Sequence, residues 1–205
     1  ELDIAELRSE LGSETVLIEY AIFDDKVSAF VVSGKGIRLF NDIALTNEIA
    51  ELADSFRFQI DAMRFSDSLS PQIIGVLKRR TDTILDQLYD KLLLPLKRQI
   101  NGKRLVIVPG GMLNSLPFHA FRNGGRYLIE SSEISYAPSA KVWLQLKRKR
   151  SKPITNSLLV GFADEKIPFV ENEVRSLKEL APQPTTLVGK AATFDAFKQA
   201  ASHSR

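Results

Sequence analysis

The chain of 205 residues contains no cysteine. Disulfides, thiolate nucleophiles and cysteine-ligated zinc are therefore excluded within these residues. Histidine is nearly as scarce, represented only by His119 and His203. These two lie far apart in sequence, and neither belongs to a spacing that would set two ligands on one helix face, so no metal site is expected. No apolar run reaches the roughly eighteen residues of a membrane span, and the acidic start (Glu1, Asp3, Glu6) has the wrong sign for a signal peptide. The expectation is a cytoplasmic protein that makes no use of a membrane.

What is present is ordinary globular material, 44% hydrophobic and 26% charged, enough for one full domain or two small ones. The net charge of +3 conceals an uneven distribution. Residues 1–67 hold six Lys/Arg against fourteen Asp/Glu, whereas residues 78–152 hold sixteen against five. Such asymmetry fits either a nucleic-acid surface or two segments of one molecule that dock electrostatically. Few aromatics interleave with the basic residues, as base stacking would need, so docking of the basic segment on the acidic one is the preferred reading and nucleic acid is not an expected partner.

Residues 2–11 fit a short amphipathic helix ended by Gly12. Thr15 to Phe23, Val27 to Ser33 and Gly36 to Phe40 read as an antiparallel meander, with Asp24 and Asp25 forming the first turn. From Glu48 the period changes: Ile49, Leu52, Phe56, Ile60 and Met63 fall on one helical face. A second helix should start at Ser70-Pro71, run through Leu92 and stop at Pro95, pairing with the first. Leu105 to Val108 is a continuous apolar run of the kind buried on both faces, stopped by Pro109-Gly110-Gly111. Strands are expected at Tyr127 to Glu130 and Glu133 to Tyr136, then a helix capped by Ser139 and a linker at Lys152-Pro153. The last third alternates a strand (Ser157 to Phe162), a helix (Val170 to Leu180), a strand near Thr186 to Val188 and a helix capped by Thr193, the signature of a parallel α/β sheet. Two strands cannot bury both faces of such a sheet, so the pattern implies further strands and an open edge through which the chain could self-associate.

The segment Leu105 to Phe121, LVIVPGGMLNSLPFHAF, resembles the CHAT family, caspase- and separase-related domains that typically show a strand, Val-Pro-Asp-Gly, a Leu and a Leu-Pro-Phe. Tyr127-Leu128-Ile129-Glu130, Ile134 to Ser139, Leu158 to Gly161, Glu173-Val174, Leu187-Val188-Gly189 and Ala192-Thr193 follow in the order of that pattern, and the resemblance takes in Leu17 to Tyr20. Gly110 stands where the family commonly has Asp, a change expected to matter little in a turn. The resemblance implies an α/β fold with residues 1–152 as an N-terminal subdomain of meander and paired helices, and residues 153–205 opening an incomplete caspase-like parallel sheet. It also implies a cysteine endopeptidase, a hydrolase acting on protein substrates and regulated by an attached tetratricopeptide-repeat region. The family's catalytic His-Gly loop and Cys follow later strands than those present.

A cysteine peptidase needs a thiolate and a nearby imidazole, and a chain without cysteine cannot supply the first. The expectation is thus a non-catalytic portion that scaffolds and regulates the His/Cys part, with the C-terminal remainder of the domain as its partner. The alternative is an inactive CHAT-like module that binds other proteins. No catalytic, cofactor or metal residue is assigned. His119 is read as a packing or hydrogen-bonding residue, and His203 as preceding the family's dyad. Gly34-Lys35-Gly36 and Gly189-Lys190-Ala191 lack the rest of a phosphate loop. Lys147 to Lys152 reads as a basic helix terminus, and Asp164, Glu165, Glu171 and Glu173 as charges favourable near a helix start.

Overall fold

The computed structural model describes residues 2–64, 69–149, 155–165 and 167–202. They fall into two compact units, Glu1–Lys149 and Arg150–Arg205.

In the larger unit, helix α1 (Ile4–Leu11) starts where the Asp3 carboxylate accepts the Glu6 N–H at 3.0 Å, and ends at Gly12. Strands β1 (Thr15–Phe23) and β2 (Lys26–Ser33) form a hairpin whose turn residues, Asp24 and Asp25, both have positive φ, as a two-residue turn matched to strand twist requires. Strand β3 (Gly36–Leu45) pairs antiparallel with β2 and runs beyond the expected end at Phe40. A register shift between Val27 and Ala29 absorbs the polar Asn41-Asp42: Asp42, at φ 52°, donates its N–H to Ser28 Oγ and takes Lys26 Nζ at 2.8 Å.

Helices α2 (Thr46–Met63) and α3 (Pro71–Leu92) pair as expected, with Ser70 Oγ accepting the Ile73 N–H and Pro71 in the first turn of α3. The apolar row of α2 is only partly covered. Ile49 is fully buried and Leu52 and Phe56 pack on the core, but Ile60 is exposed while Gln59 is buried. Periodicity marks which face is apolar; it does not say how far along the helix the cover extends.

A 3₁₀ turn at Leu94–Leu96 and helix α4 (Lys97–Ile100) lead into β4 (Arg104–Val108), which lies parallel to β1 with Thr15 opposite Arg104 and Glu19 opposite Val108. The expected strand at Tyr127 to Glu130 does not form. Gly124 and Gly125, both at positive φ, instead close a hairpin of β5 (Arg122–Asn123) and β6 (Arg126–Tyr127), and Leu128–Glu130 is a 3₁₀ turn that buries Leu128. The apolar texture of that run reflects one core contact rather than strand alternation. Strand β7 (Ile134–Tyr136) pairs parallel with β4, and Ser139 caps helix α5 (Ala140–Arg148). The sheet order is β3-β2-β1-β4-β7.

This sheet is a wall between two cores. Val16, Ile18, Tyr20, Leu105 and Ile107 face α2 and α3, while Leu17, Val106 and Val108 face α1 and α5. The apolar run in β4 is continuous because alternate residues enter different cores.

The smaller unit contains a parallel pair, β8 (Ser157–Gly161) and β9 (Pro184–Val188), with helices α6 (Val170–Leu180) and α7 (Phe194–Ser202). The Thr193 hydroxyl accepts the Ala196 N–H at the start of α7. Gly161 permits close packing of α6, since a Cβ there would lie 2.6 Å from Val174 Cγ2. Lys152-Pro153 lies outside the described residues. No described helix is long and apolar enough to cross a membrane.

Candidate functional site

The chemistry-bearing groups of the larger unit collect at the carboxyl ends of its parallel strands, the end at which open α/β sheets commonly place ligands. After β4, the chain turns at Pro109-Gly110-Gly111 into two short 3₁₀ turns, Gly111–Ser115 and Phe118–Ala120. Phe118 and Phe121 are fully buried, with Phe118 packed between the Tyr20 and Phe121 rings. Anchored on both sides, the backbone carries the intervening His119 outward to an exposed position.

There His119 meets Tyr136, the last residue of β7. Its backbone N–H donates to Tyr136 Oη at 3.1 Å, and its ring Nδ1 lies 3.0 Å from the same oxygen. Burial pushes the Tyr136 phenol above its ordinary pKa, against the opposing pull of the His119 and Phe118 backbone N–H groups. The phenol therefore keeps its proton at neutral pH. Donation of that proton to Nδ1 leaves the second ring nitrogen, Nε2, to carry the imidazole hydrogen. This pair can hold and orient an imidazole; it contains no thiol.

Glu19 lies at the same end of the sheet. Its carboxylate accepts the backbone N–H of Ala140 at the start of α5, and burial raises its pKa. The signal for it was in the sequence, as the single charge inside the apolar run Thr15 to Phe23. Tyr136 gave no such signal, because its partnership with His119 depends on the parallel register of β4 and β7.

Gly110 proves more constrained than a turn glycine. A Cβ at this position would stand 2.4 Å from the Tyr20 carbonyl oxygen. The expectation that this position matters little is therefore corrected, since backbone occupies the space a side chain would need.

The basic and acidic segments do meet: Lys91 pairs with Glu48 at 2.8 Å, Lys103 with Glu14 at 3.6 Å, and Arg148 with Glu6. The Lys91 hydrogen bond lowers the Glu48 pKa; Glu14 is lowered first by Ser13 and then by Lys103. These pairs are largely solvent-exposed and contribute little each. A more sheltered network fixes the β5–β6 hairpin to α3, with Arg122 bridging Asp82 (3.2 Å) and Asp86 (3.3 Å) while Tyr127 donates to Asp82 at 3.0 Å.

The remaining motifs have structural settings. Gly34-Lys35-Gly36 forms the β2–β3 turn, and Gly189–Ala191 is a 3₁₀ turn. Lys147 lies over the Trp143 ring, and Glu171 and Glu173 occupy the first turn of α6. Arg150 to Lys152 and His203 lie outside the described residues. Among the described residues no group of three or more His, Asp or Glu could hold a metal ion.

The family model of the CHAT domain matches residues 82–205, three-fifths of the chain. The chain belongs to the CHAT domain family. As a CHAT domain it is related to caspase-like peptidases. The matched span begins inside α3, so it includes β4, the His119–Tyr136 pair and the whole smaller unit, whereas the meander precedes it. No curated protein matches this CHAT-domain chain.

Proposed function

We propose that this chain is the non-catalytic, N-terminal portion of a CHAT-domain cysteine endopeptidase, a cytoplasmic hydrolase of protein substrates, in which it scaffolds and regulates the part bearing the His/Cys dyad. The observation that carries the reading is the absence of cysteine from a chain of this family. A thiolate must then come from other residues of the same domain. The uncovered apolar side chains of the smaller unit support the idea that further strands of the domain cover it, and a tetratricopeptide-repeat region is the proposed regulatory neighbour.

The 205-residue chain by itself should neither cleave casein nor react with a thiol-directed inhibitor. Saturable cleavage abolished by His119→Ala would overturn this. Protein expressed from the complete reading frame should cleave protein substrates in a thiol-dependent manner. Protein binding without any thiol-dependent cleavage would instead identify an inactive interaction module.

A further inference from the structure

At the other end of the parallel strands, where β4 and the approach to β7 begin, the larger unit has a cleft of about 310 Å³. Its polar lining is made of hydroxyls, amides and two cations, among them Tyr89, Lys97, Asn101, Asn123, Arg126 and Ser132. No Asp or Glu lines it. Neither Lys97 nor Arg126 belongs to an ion pair among the described residues.

Tyr89 supplies the second observation. It is only 4% exposed, and its hydroxyl accepts from Asn123 Nδ2 at 3.3 Å. Among the described residues no acceptor takes the proton of that hydroxyl. Burial raises the phenol pKa, so the proton is retained. The hydroxyl lines the cleft, so an oxygen of a bound molecule can accept its proton.

We infer that this cleft binds a small organic phosphomonoester. Two unpaired cations match a charge approaching −2, and three phosphate oxygens can engage donors arriving from α3, α4 and the β5–β6 hairpin together. A carboxylate offers one charge and two oxygens. Ile100, Leu105 and Leu128 provide an apolar side for a compact carbon body. The inference is independent of the peptidase reading.

Calorimetric titration of the 205-residue chain with phenyl phosphate at low ionic strength should reveal one saturable site. Inorganic phosphate, which lacks the carbon body, and benzoate, which lacks the second charge, should each bind at least about fivefold more weakly. The paired substitution Lys97→Gln with Arg126→Gln should weaken phenyl phosphate about tenfold or more, and Tyr89→Phe about fivefold. Because Lys97 and Arg126 are exposed, the paired variant tests the site without disturbing the core. No saturable heat, or binding unchanged in that variant, would overturn the site. Benzoate binding as tightly as phenyl phosphate would overturn the choice of phosphate.

Discussion

Both units contain parallel strands and helices but bury very different amounts of apolar surface. In Glu1–Lys149, two clusters lie on opposite faces of a five-stranded sheet, and side chains such as Ile18, Leu88, Ile107 and Phe118 are wholly inaccessible. In Arg150–Arg205, Val174 is the only buried hydrophobic side chain among the described residues, and none is wholly inaccessible, while Phe162, Phe169, Leu180 and Phe194 are all more than 60% exposed. The difference teaches that a correct α/β pattern is not a core. Burial needs strands with cover on both faces, and a lone parallel pair has too few neighbours to provide it.

The comparison is broken most directly by separating the units. A chain ending at Lys149 should melt cooperatively at close to the temperature of the full chain, whereas residues 150–205 alone should show no cooperative transition by circular dichroism or calorimetry. A sharp melt of the smaller piece would mean that its two strands and helices suffice as a core. Single substitutions sharpen the same contrast. Phe118→Ala should cost about 3–5 kcal/mol in denaturant titration, and Phe194→Ala less than about 0.5 kcal/mol, although both remove the same ring. Comparable costs would show that the Phe194 side chain is covered in solution.

The smallest expected effect tests whether the larger unit is uniformly well made. Burial raises the folded-state pKa of Glu19 above its unfolded value near 4.3. The resulting stability contribution is complete below the unfolded pKa and is lost as pH rises through the folded one, so the ionised carboxylate is a net burden at pH 7. Glu19→Gln keeps an acceptor for the Ala140 N–H and should raise the melting temperature at pH 7, with the gain shrinking towards pH 4. A gain that grows on acidification would contradict this assignment.

Most of the fold was legible in the sequence where local chemistry decides it. Thr15 to Phe23 and Val170 to Leu180 form an element over the residues read for them, and Ser70, Ser139 and Thr193 cap the helices they were expected to cap. Legibility failed where the deciding contact is remote. The extension of β3 depends on a bulge opposite Ser28, the loss of a strand at Tyr127 to Glu130 depends on the Gly124-Gly125 turn, and the strictness of Gly110 depends on the Tyr20 carbonyl. The candidate site shows the same division. His119 was identifiable as a scarce residue in a recognisable motif, but its bond to Tyr136 and the donor-lined cleft around Tyr89 arise only when separated segments are brought together.

The parallel joint between β1 and β4 also dictates the order in which the larger unit can assemble. The meander of β1, β2 and β3 closes through short turns, whereas Leu17 must find Val106 across the whole of α2 and α3. Loop closure of that length is entropically slow until the intervening helices have paired and shortened the path. The meander and the α2–α3 hairpin are therefore expected to form early, and β4, whose alternate side chains belong to each core, to dock late. A conservative truncation in β4, such as Ile107→Val, then acts mainly on the rate of unfolding, while one in the β1–β2 hairpin, such as Val31→Ala, acts on the rate of folding.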